Sequence, residues 1–163
     1  GISHHLNYCE DAELRRILER AVERLAMNDV STDALDSIAS RSRGTPRVAL
    51  RLLRRVRDFA QVRSQGIVSP SVVEEALSLE GVDGEGLDEL DRKYLRTIFE
   101  TYGGGPVGLE AIAATMGDDA TTLEDVVEPY LLQNGFLART RQGRCLTVRA
   151  GEHLGFQVRG DLF

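Results

Sequence analysis

The sequence predicts a mainly α-helical protein in two parts: four helices over residues 1–80, then helices ending in a two-stranded β-hairpin over residues 81–163. Three observations carry that reading. Apolar residues recur at helical spacing from Leu14 to Leu77. The break Gly81-Val82-Asp83-Gly84-Glu85-Gly86 reads as a linker or loose turn, and the domain boundary belongs there. Beyond it, two short apolar runs flank a glycine-containing turn.

The elements follow in order. Leu14, Ile17, Leu18, Ala21, Val22 and Leu25 make one face of a first helix. Ser31 or Thr32 caps a second, with Leu35, Ile38 and Ala39 inward and Gly44 at its end. Thr45-Pro46 opens a third, because proline at the first helical position loses no hydrogen bond there. Ala49, Leu52, Leu53, Val56, Phe59 and Ala60 are its buried face. Ser69-Pro70 repeats the start signal for a fourth, carrying Val72, Val73, Ala76 and Leu77. In the second part, Leu87 to Phe99 form a helix that stops before Gly103-Gly104-Gly105-Pro106, read as an interhelical loop. Leu109 to Ala113 form a short helix ending near Gly117. Thr121-Thr122-Leu123-Glu124 is a capping-box pattern that opens a third, and Pro129 inside it removes one hydrogen bond. Phe136–Arg139 and Cys145–Val148 read as strands joined by a turn over 141–144, and the tail after Gly155 carries little signal. Three helices and then a hairpin is the order of a winged helix, a helix-turn-helix variant.

Composition excludes several classes. The chain of 163 residues is 42% hydrophobic and 28% charged, which is globular rather than disordered. No apolar run approaches the ~18 residues of a membrane span. It begins Gly1-Ile2-Ser3 rather than with Met, which reads as a fragment or processed product. Cys9 and Cys145 lie near opposite ends, so free thiols and a cytoplasmic address are expected. His4, His5 and His153 have no ligand-spaced neighbours, so no metal site is expected. There is no Gly-Lys-Ser/Thr phosphate loop and no nucleophile beside a base, so no catalytic residue is assigned.

The net charge of -6 conceals segregation. Eight arginines face one acid between Arg41 and Arg63, and six acids face no base between Glu110 and Glu128. Four arginines face no acid between Arg139 and Arg149. Arg47 stands at a helix start, where backbone N–H groups already favour an anion. It is either a phosphate holder or part of a solvated helix pairing with acids of the first helix, and spacing alone favours the second. Arg139, Arg141, Arg144 and Arg149 are either a basic wing for a nucleic-acid backbone or charges that guard a sheet edge. The last helix carries Glu124, Asp125 and Glu128, which repel phosphate. Any DNA contact is therefore expected through the wing, with little base specificity.

Four stretches together are specific. They are Ser42-Arg43-Gly44-Thr45-Pro46-Arg47, Arg51-Leu52-Leu53-Arg54-Arg55-Val56-Arg57-Asp58-Phe59-Ala60, Gly103-Gly104-Gly105-Pro106-Val107-Gly108-Leu109, and Glu128-Pro129-Tyr130-Leu131-Leu132-Gln133-Asn134-Gly135-Phe136-Leu137. In this order they resemble the C-terminal two thirds or so of the RuvB family, the AAA+ motors of bacterial Holliday-junction branch migration. The resemblance implies a four-helix AAA+ lid over 1–80 and a winged-helix DNA-binding domain over 81–163. It implies that the ATPase domain lies outside this chain, and that the chain alone hydrolyses no ATP. Arg47 matches the family's sensor-2 arginine. Arg139 and Arg144 match its DNA-contacting arginines, with Arg141 a further candidate. Cys9 aligns with the family's adenine-flanking tyrosine, and Tyr8 is the neighbouring aromatic. The implied cofactors are ATP or ADP with Mg²⁺ in the complete protein. The implied partners are duplex DNA at Holliday junctions, a RuvA tetramer, the RuvC resolvase and five further copies in a ring. The wing departs from the usual Arg-Thr-Pro-Arg-Gly-Arg, Gly151 replaces an aromatic, and the loop near Asn28 is one residue longer. A stand-alone winged-helix binding or scaffold protein is the alternative, and upstream coding sequence separates the two.

Overall fold

Helical periodicity places the elements of the first unit. The computed structural model describes residues 9–158, and the chain divides into two units, one ending at Asp88 and the other starting at Glu89. In the first, α1 (Asp11–Arg24) packs on α2 (Thr32–Ser40) and α3 (Pro46–Arg63), and α4 (Pro70–Leu79) closes against α2 and α3. The inward faces are those the spacing gives: Leu14, Leu18, Ile38, Leu52, Leu53, Val56, Val73 and Leu77 are all buried. Ser31 caps α2 by accepting the Ala34 N–H at 3.1 Å, and Ser69 caps α4 by accepting that of Val72 at 3.3 Å. Thr45 stands at the α3 N-cap, but its hydroxyl donates to the Arg43 carbonyl at 3.2 Å instead of capping.

The glycine-rich segment is more ordered than its composition suggests. The Asp83 carboxylate accepts the N–H groups of Glu85 and Leu87, both at 3.0 Å, and the Asp83 carbonyl accepts that of Gly86 at 3.0 Å. An Asx-type turn therefore stands where the sequence suggests a linker or a loose turn.

The second unit runs α5 (Glu89–Tyr102), α6 (Leu109–Met116), α7 (Ala120–Thr122), a π-helical stretch (Leu123–Val127), α8 (Glu128–Gln133), β1 (Leu137–Thr140), β2 (Gly143–Leu146) and α9 (Val148–Leu154). Three features correct the sequence reading. The helical rod starts earlier than the capping box implies: Asp119 is the N-cap and accepts the Thr122 N–H at 3.3 Å. Pro129 does not merely delete a bond. Its ring and missing N–H conflict with the carbonyl four residues back, and the turn before it widens into the π stretch. The strand expected over 145–148 ends at Leu146, because Thr147 caps a further helix by accepting the Ala150 N–H at 3.2 Å.

The hairpin register differs as well. Thr140 pairs with Gly143 across a two-residue turn, Arg141-Gln142, so Arg139 stands directly opposite Arg144. The segment after Gly103-Gly104-Gly105 is not only an interhelical loop. Val107 exchanges two backbone hydrogen bonds with Arg144, at 3.0 and 2.7 Å, and so bridges to the edge of β2 that β1 leaves open. Gly143 is needed there. At φ 137° its missing Cβ would lie 2.6 Å from the Val107 carbonyl carbon, so a side chain would push the two backbones apart. The tail also carries structure. Phe156 stacks on Phe99 at 4.1 Å between centroids, and its carbonyl crosses Gly151 where any Cβ would overlap it. An aromatic at 151 and this path of the tail exclude each other.

Candidate nucleic-acid interface

Two like-charged pairs meet at the wing. Glu124 and Glu128 are four residues apart on one helical face, a spacing at which carboxylates repel. Arg139 and Arg144 are direct cross-strand partners on one face of the hairpin, where like charges also repel. Each pair relieves the other. The Arg144 guanidinium forks onto Glu128, with Nε to Oε2 at 2.8 Å and Nη2 to Oε1 at 3.1 Å. Arg139 Nη2 donates to Glu124 Oε2 at 2.9 Å and lies 3.9 Å from Glu128 Oε1. Arg144 Nη2 is also 3.7 Å from Glu124.

The inner half of this quartet is buried and the outer half is not. The Glu128 side chain is 2% exposed and that of Arg144 13%, while Arg139 and Glu124 are each 49% exposed. Tyr94 on α5 completes the buried end by donating its hydroxyl to Glu128 Oε2. Burial first, and then the hydrogen bond to Glu128, push the Tyr94 phenol far above its ordinary range. The hydrogen bond to Glu128 raises Arg144 further. Burial raises the Cys145 thiol, next to Arg144 in β2.

The four wing arginines therefore differ. Arg144 faces inward and holds the hairpin to the helical rod. Arg139 is half exposed within an ion pair. Arg149 lays its guanidinium over the Phe136 ring, 4.5 Å from the centroid. Arg141, in the exposed turn, has no ion pair among the described residues. The acids Glu124 and Glu128 face the wing, so the expectation that they simply repel phosphate is replaced by internal neutralisation. Asp125 is exposed.

In the first unit, Arg47 is exposed in the first turn of α3, whose leading N–H groups no side chain caps. The Cys9 N–H donates to the Gly44 carbonyl at 2.7 Å. That bond brings two residues far apart in sequence to the same turn. Tyr8, His4 and His5 lie outside the described residues. The neighbouring arginines have partners outside α1, where acids of the first helix were expected: Arg41 with Glu74, Arg43 with Asp88 at 3.7 Å, Arg55 with Glu80 at 3.9 Å and Arg57 with Asp58 at 3.2 Å. Among the described residues no cluster of His, Cys, Asp and Glu could hold a metal, and no helix is long and apolar enough to cross a membrane.

The family model described as the RuvB AAA lid domain matches residues 8–83, and that of the RuvB C-terminal winged helix domain matches residues 84–155. The chain carries the lid and winged-helix domains of the RuvB family. The Holliday junction branch migration complex subunit RuvB of Thermosipho melanesiensis is 50% identical over 163 residues, which is 100% of this chain and 52% of that protein. Its counterpart in Streptococcus agalactiae serotype V is 47% identical over 157 residues, covering 96% of this chain and 47% of the relative. A solved structure of Thermotoga maritima RuvB, described as a Holliday junction branch migration motor, superposes with a TM-score of 0.89 at 47% identity, covering 94% of this chain and 51% of that one. The chain thus spans about half the length of the RuvB relatives it matches, not the two thirds its motifs suggest.

Proposed function

We propose that this chain is the nucleotide-sensing and DNA-holding end of an ATP-driven branch-migration motor. The observation that carries the reading is the exposed basic tip of the wing, Arg141 with no ion pair among the described residues beside the half-exposed Arg139, within a winged-helix domain of the RuvB family. Both arginines would lie along the backbone of duplex DNA at a Holliday junction. Arg144 would serve them by fixing the hairpin, through Glu128, and touch phosphate little. Such contacts position the duplex without reading its sequence.

The lid would meet nucleotide through Arg47. An uncapped helix N-terminus beside a guanidinium suits a phosphate oxygen. The fit is partial, because Cys9 supplies no aromatic face for a base where the family has a tyrosine. ATP with Mg²⁺ would supply the phosphoanhydride bond whose hydrolysis drives movement in the complete protein, and the residues of this chain would only sense and orient its phosphates. In that complete protein a ring of six copies, a RuvA tetramer and the RuvC resolvase are the expected partners, in the bacterial cytoplasm.

Titration of unrelated duplexes at several salt concentrations tests the wing. Arg141→Ala and Arg139→Ala should each weaken all sequences alike and flatten the salt slope by about 0.9 for each phosphate no longer neutralised. Unchanged binding in both would contradict the reading. Arg47→Ala, in the complete protein, should lower ATP turnover with the lid still folded, and unchanged turnover would remove the sensor role.

A further inference from the structure

We propose that Glu124 is an internal stand-in for a DNA phosphate: it occupies Arg139 in the free protein, and a backbone phosphate must displace it, so Glu124 limits how tightly the wing holds DNA. The inference rests on the reading that the wing meets DNA, and adds a residue that sets the strength of that contact.

Carboxylate and phosphate present the same kind of acceptor oxygen to a guanidinium. Glu124 offers Arg139 one oxygen at 2.9 Å. Both side chains are 49% exposed, so the pair is wet, singly bonded and exchangeable. The Glu128–Arg144 pair differs on every count: it is bidentate, buried and also bonded to Tyr94. The quartet thus contains one fixed pair and one releasable pair. Release is eased because Glu124 already lies 3.7 Å from Arg144 Nη2 and keeps a cation when Arg139 turns outward. Arg141 carries no such competitor among the described residues, so Arg139 is the wing position at which affinity can be set by a neighbour.

The test is fluorescence anisotropy with the same chain and two unrelated duplexes at low salt. Glu124→Gln should tighten binding about two- to fivefold, the range expected for removing a competing exposed ion pair. Asp125→Asn removes an equal charge from the adjacent, exposed residue, and should change affinity by distinctly less. In an Arg139→Ala background, the gain from Glu124→Gln should fall to that of Asp125→Asn. Equal gains from the two acid variants, or a gain that survives Arg139→Ala, would overturn the proposal and mean that only net charge matters. These outcomes stand apart from failure of the wing reading, which would appear as Arg139→Ala and Arg141→Ala both binding like the parent chain and would remove the proposal with it.

Discussion

Helix α3 and the wing are both runs of arginine in sequence, yet they are different electrostatic objects. On α3, Arg47, Arg51 and Arg54 recur at helical spacing, are exposed, and have no ion pair among the described residues. In the wing, Arg139 and Arg144 are answered by Glu124 and Glu128, which arrive from another element. Charge count along a chain therefore does not measure the charge a surface presents. Strand register and helix face decide it, since they determine which acids fold back onto which bases.

The largest expected effect separates the two regions by stability. Arg144→Ala leaves Glu128 buried without its cation, and breaking such a pair costs about 3–5 kcal/mol. Thermal unfolding of the wing unit should fall accordingly, and a loss below about 1 kcal/mol would mean the inner pair is not held as described. Next in size is an alkaline transition confined to the wing unit. Cys145 and Tyr94 titrate above their ordinary values of 9.0 and 10.0 when folded, so the folded state keeps protons that the unfolded state releases. Their contribution is complete below about pH 9 and is lost as pH rises past 9 and then 10. The urea midpoint of hairpin amides should drop over that range. Residues 9–88 contain no tyrosine, and amides of α2 should drop less. An equal drop in both units would mean that the buried Tyr94 and Cys145 are not its source. The smallest effect is Arg51→Ala, which removes an exposed side chain with no ion pair among the described residues and should change stability by no more than about 0.5 kcal/mol.

Much of this architecture is legible in the sequence because it depends on local rules. The buried faces of α1 to α4, the caps Ser31 and Ser69, the proline start of α3 and the existence of a hairpin all follow from period and capping chemistry. What escapes reading is set by partners distant in the chain. Arg141-Gln142 has no turn signature, whereas Gly143 looks like a turn residue, so the turn reads too long. In fact Gly143 is small because Val107 lies against it, and nothing near position 143 announces that. The same slip hides the Arg139–Arg144 opposition, and with it the role of Glu124 and Glu128. Helix α9 is hidden because Cys145-Leu146-Thr147-Val148 suits a strand, while Thr147 acts as a cap. The Phe99–Phe156 stack joins residues that no local pattern links. In the lid, the exposed place of Arg47 in the first turn of α3 follows from Thr45-Pro46, whereas the backbone bond from Cys9 to Gly44 joins residues that no local pattern links.

The wing is fastened by a buried, mutually neutralising pair. A double-mutant cycle between Arg144 and Glu128 measures that coupling, using Arg144→Met, Glu128→Gln and the two combined. Urea unfolding should be followed through hairpin amides at residues 137–146, so that only the wing unit is read. Each single change should be strongly destabilising, and the double variant should lose far less than their sum, giving a coupling of at least about 2 kcal/mol. Losses that add within about 0.5 kcal/mol would show two independent side chains and contradict the account.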